Sequence, residues 1–149
     1  TIGLSIATLA PLAAQSEAQM TKLFNQATQV ESFKMDLSNR LLQDLDVDFD
    51  IDHLRESVHG EVSRVRIAVY DRYREGLQAQ RDFVAQMVAW GYRPAPPLPK
   101  HEEKESGQLI ILRKTDGAYS PYLVFVINNY RESESILLVF SGKLKIRTS

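Results

Sequence analysis

Cysteine is absent from the chain, which excludes disulfides, thiolate metal sites, a cysteine nucleophile and a lipid-modified N-terminal cysteine but leaves the compartment open. An excess of charge of either sign is lacking too. The 18 Lys and Arg nearly balance the 19 Asp and Glu, for a formal charge of −1, so no overall field favours phosphate backbones or anionic lipid. Histidine is scarce, at three residues. On a helix, the spacing from His53 to His59 turns the second ring about 240° from the first, so the two cannot share a metal there. His101 stands alone in a charged stretch. The chain has no Gly-x-x-x-x-Gly-Lys loop and no Gly-x-Gly-x-x-Gly fingerprint. Its Phe140-Ser141-Gly142-Lys143 matches neither Gly-x-Ser-x-Gly nor Ser-x-x-Lys, so a hydrolase of unknown type remains only a lesser alternative.

At 149 residues, with 44% hydrophobic and 25% charged residues, the chain has the size and composition of one globular domain. Its opening is compositionally distinct. Ile2 to Ala14 carries no charge, is too short to span a bilayer as a helix, and leads to small-residue cleavage candidates at Ala14-Gln15-Ser16. Residues 1–16 therefore read as the remnant of an export signal peptide and residues 17–149 as a single α+β domain. The competing reading is an amphipathic first helix docked on the core.

Met20, Leu23, Phe24 and Ala27 fall at helical spacing and predict a short amphipathic helix. Phe33, Met35 and Leu37 alternate with Ser32, Lys34 and Asp36, the period of an edge-like, half-buried strand. Ser38 then caps a helical turn carrying Leu41, Leu42 and Leu45. In Val62 to Tyr70, Val65, Ile67 and Val69 lie on one face, with Arg64, Arg66, Ala68 and Tyr70 on the other. After a polar link, Leu77 to Trp90 predicts an amphipathic helix stopped by Gly91. The proline-rich Tyr92 to Pro99 reads as a stiff turn. Strands follow at Gln108 to Lys114, Tyr119 to Asn128 and Ser135 to Ile146, with Asp116-Gly117 marking a hairpin and Gly142 a bulge. The expected fold is a mainly antiparallel sheet of about four to five strands with helices on one face.

Asp44, Asp46, Asp48, Asp50 and Asp52 alternate with apolar residues. Such a ladder invites a divalent cation, but no register supplies the glycine and glutamate of an EF-hand loop. The favoured reading is a solvated linker whose Asp50 or Asp52 caps a helix over Asp52 to Val58; a weak cation site is the alternative, and no cofactor is expected.

The apolar leader, VESFKMDLS, a leucine-bearing turn, the acidic linker, RVRIAVYD, a helix ending at Trp90-Gly91, and the closing LIILRKTD, YLVFVINN and ILLVFSGKLKI together resemble the bacterial family known as domain of unknown function 4252. The resemblance covers about Glu17 to Ile146 and implies an exported α+β domain of the periplasm or cell envelope; it brings no catalytic residues. The expected function is a non-catalytic module that binds a protein or envelope component. Trp90, Tyr92, Tyr119 and Tyr122 are its candidate contact aromatics. A nucleic-acid surface built from Arg64, Arg66, Lys143, Lys145 and Arg147 is disfavoured by export and by the acidic linker, and no transmembrane span is expected.

Overall fold

A strand that alternates apolar residues with Arg66, Ala68 and Tyr70 offers two faces for packing, and the fold covers both. A computed structural model describes residues 12–30, 32–38, 58–95, 107–129 and 133–146. In chain order these form α1 (Leu12–Ala27), β1 (Ser32–Ser38), β2 (Val58–Tyr70), α2 (Tyr73–Ala89), β3 (Tyr92–Pro94), β4 (Gly107–Lys114), β5 (Ser120–Asn129) and β6 (Glu134–Ile146). The six strands make one sheet in the order β1-β2-β6-β5-β4-β3, antiparallel at every pairing. The chain is therefore α+β, with β4, β5 and β6 as a meander. β2 inserts between β6 and β1.

Both helices pack on one face. Met20, Leu23, Phe24 and Ala27 of α1 and Phe83 and Met87 of α2 share a core with Ala68, Tyr70, Leu112, Val124, Val126, Leu137 and Val139. Tyr70 fastens α1 to the sheet through a hydrogen bond from its hydroxyl to the Ala27 carbonyl at 2.8 Å. Gly76, in the first turn of α2, lies so close to Tyr70 that an added Cβ would stand 2.7 Å from the tyrosine Cβ. A side chain there would push the helix off the strand.

The opposite face holds a second core of Val65, Ile67, Ile111, Leu123, Phe125, Leu138, Phe140 and Leu144, to which neither helix contributes. Phe125 meets Phe140 edge to face, with centroids 5.5 Å apart. Adjacent strands with apolar residues on both faces explain the near-continuous hydrophobic runs of β5 and β6. Gly142 sits at the expected bulge: the β2–β6 register slips between Val62 and Arg64. At φ 149° its missing Cβ avoids the Glu61 carbonyl.

The structure departs from the expected boundaries in four places. β3 is a sixth strand within the proline-rich segment; three residues show no alternation, and Pro94 is tolerated because the strand lies at the sheet edge. α2 begins at Tyr73, on an Arg72 N-cap with no side-chain capping bond, so the usual sequence signal for a helix start is missing. β2 begins at Val58, a residue the sequence pattern assigned to the end of a helix. Finally, α1 begins at Leu12, within the stretch read as a leader.

Candidate functional site

The strongest polar constellation lies where α1 crosses β2, β6 and β5. Register sets it up: Arg64 pairs with Ser141 and Ser141 with Tyr122, so three polar residues form a row across neighbouring strands. Arg66 follows Arg64 by the two-residue repeat and shares its face. Above them, Glu17 and Thr21 are one helical turn apart on the stripe that also carries Met20 and Phe24. The helix thus lowers a carboxylate and a hydroxyl onto the arginines.

Arg66 is completely buried, at 0% exposure. Its Nη1 donates to Ser141 Oγ at 2.9 Å, and its Nη2 donates to Glu17 Oε1 at 2.6 Å and Thr21 Oγ1 at 2.9 Å. Nε has no hydrogen-bond partner. The second Glu17 oxygen accepts from the Tyr122 hydroxyl at 2.8 Å. Arg64 grips Asp36 with two bonds, at 2.5 and 2.7 Å, and touches Glu17 at 3.3 Å. Two guanidinium groups thus face two carboxylates.

Burial pushes the Glu17 carboxyl up, but hydrogen bonds from Arg66 and Tyr122 and the charges of Arg66 and Arg64 outweigh it, leaving the group below its ordinary 4.5. Tyr122 is driven well above the ordinary phenol value, first by burial and then by its bond to Glu17. At neutral pH the glutamate is ionised and the phenol protonated. Apart from Arg66 Nε, these groups bond to one another and hold α1 against the sheet.

The four candidate aromatics separate. Tyr92 and Tyr122, at 3% and 4% exposure, belong to the helix-side core, with ring centroids 6.4 Å apart. Their side chains are core residues because each lies on the sheet face that the helices cover. Trp90 caps the C-terminal end of α2 and is half-buried against the same core. Tyr119 precedes β5 and is 48% exposed, with Lys143 Nζ 4.8 Å from the centroid of its ring. Arg64 and Arg66 do not form an open basic strip with Lys143, since both are engaged by acidic partners. Phe33, assigned by its alternation to a core-facing side, is 60% exposed at the start of edge strand β1.

Asp44, Asp46, Asp48, Asp50 and Asp52 lie outside the described residues, as do His53, His101 and Arg147. Among the described residues no cluster of three or more His, Asp or Glu is placed to hold a metal ion, and no helix is long and apolar enough to cross a membrane.

Composition alone did not reveal the burial of Arg66. The available signal was Glu17 and Thr21 interrupting an apolar helix stripe, opposite an arginine on a strand flanked by hydrophobic neighbours. No family model matches the chain, and no curated protein or solved structure was found similar to it.

Proposed function

We propose that this chain is an exported domain of the periplasm or cell envelope that binds a protein or surface component without catalysing a reaction, and that Tyr119 is at the centre of the contact. The observation that carries this reading is the exposed Tyr119 ring with the Lys143 ammonium beside it. An aromatic ring with a polar tip and an adjacent cation can bury area while offering hydrogen bonds and charge, the chemistry favoured in the centres of protein contacts. The uncharged leader and the resemblance to domain of unknown function 4252 support export and membership of that family.

A photo-crosslinking amino acid at position 119, with a control at exposed Gln78 on α2, tests the contact in envelope extract. A discrete adduct from position 119 and none from position 78 is expected. Equal labelling at both positions, or none at either, overturns the assignment.

A further inference from the structure

The two edges of the sheet differ. β3 has three residues and ends in Pro94, which blunts that edge, whereas β1 presents seven residues with no strand beyond it among the described residues. The β1 sequence, Ser32-Phe33-Lys34-Met35-Asp36-Leu37-Ser38, is self-complementary about its centre. Laid antiparallel against a second copy with Met35 opposite Met35, it pairs Lys34 with Asp36, Asp36 with Lys34, Phe33 with Leu37, and serine with serine.

We propose that β1 is the interface between two copies of this chain, joined about a two-fold axis through Met35 into one continuous antiparallel sheet. An isologous contact requires a patch that complements itself, and opposite charges facing each other across strands stabilise the pairing. Lys34 and Asp36 are exposed on the helix side of the sheet, where Asp36 already accepts from Arg64. A carboxylate can accept further donors, so a lysine from the second copy completes a three-membered charge row. On the other side, Phe33 heads an apolar row that runs through Val69, Ile136, Ile127 and Leu109. Its 60% exposure falls when Leu37 of the second copy lies beside it. This inference is independent of the role given to Tyr119.

Sedimentation velocity is expected to show a dimer for the unaltered chain. Lys34→Asp and Asp36→Lys are each expected to be monomeric, with the dimer Kd raised by more than about a hundredfold because like charges then face each other twice. An equimolar mixture of the two variants is expected to form the heterodimer, in which both charge pairs between the two copies are again complementary. Thermal melts confirm that each variant is folded.

Register is tested separately by a single thiol in this cysteine-free chain. Met35→Cys is expected to crosslink on mild oxidation, since directly opposed residues lie about 4.5–5.5 Å apart between Cα atoms, inside the range a disulfide spans. Phe33→Cys is not expected to do so, because the two copies of that position are offset by about 13 Å along the strands. A monomeric unaltered chain, or crosslinking at position 33 equal to that at position 35, overturns the proposal; a monomer would leave the edge to an extended segment of another protein.

Discussion

Glu17 Oε1 stands 2.6 Å from Nη2 of Arg66, so the charge of a fully buried guanidinium is compensated by a side chain that is itself 46% exposed. The pair joins the first helix to the second strand across the layers of the fold. Removing the carboxylate leaves a buried cation without its main counter-charge.

Glu17→Ala is therefore expected to cost about 2 kcal/mol, below the roughly 3–5 kcal/mol of a fully buried pair because water already reaches Glu17. Arg66→Met combined with Glu17→Gln is expected to recover much of that loss, since it removes the stranded charge as well. Denaturant melts of the two variants check this. A cost for Glu17→Ala within about 0.5 kcal/mol, the range of unremarkable surface changes, would show that the pair is not needed.

Acid should weaken the same contact. The folded-state value for Glu17 lies below its ordinary 4.5, so its contribution is fully present above that value and is lost as pH falls through the folded value. Tm measured from neutral pH downward is expected to drop below about pH 4.5, and to drop less in Glu17→Gln, whose side chain does not titrate. Parallel curves for the two proteins would refute the linkage.

If export removes a leader, as proposed, the structure limits where the cut can fall. Cleavage after Ala18 would discard Glu17, whereas cleavage within Ala14-Gln15-Ser16 keeps it on Arg66 and Tyr122. N-terminal sequencing of the exported protein is expected to start at or before Glu17. A mature chain starting beyond it would mean that the network is dispensable.

Phe125→Ala probes the face to which neither α1 nor α2 contributes. Phe125 has no exposure and lies against Phe140, so truncation is expected to cost about 3–5 kcal/mol. A loss below about 1 kcal/mol in a denaturant melt would place that ring outside a packed core.

Local periodicity made much of this fold readable. Two-residue alternation identified β1 and the body of β2, apolar runs bounded by turn residues identified the three strands of the meander, and the 3.6-residue stripe identified most of both helices. Three things escaped it. β3 is too short to show a period; the placement of β2 beside β6 depends on long-range register, which no local window contains; and an arginine reads as exposed until something is seen to lie over it. The aromatic candidates show the same limit, since Tyr92 and Tyr122 are as amphipathic in sequence as Tyr119, and only the position of the helices separates them.

The neighbouring of β2 and β6 also has a bearing on synthesis and transport. Val65 lies opposite Phe140 and Val58 opposite Ile146, so the longest ladder of the sheet joins the second of the described strands to the sixth, which is made about eighty residues later. Contacts that distant in sequence form late, and until they form, β2 has β1 but no partner on its central side. A growing polypeptide of this design remains a substrate for chaperones until β6 is released. If the chain is exported as proposed, that delay keeps it threadable.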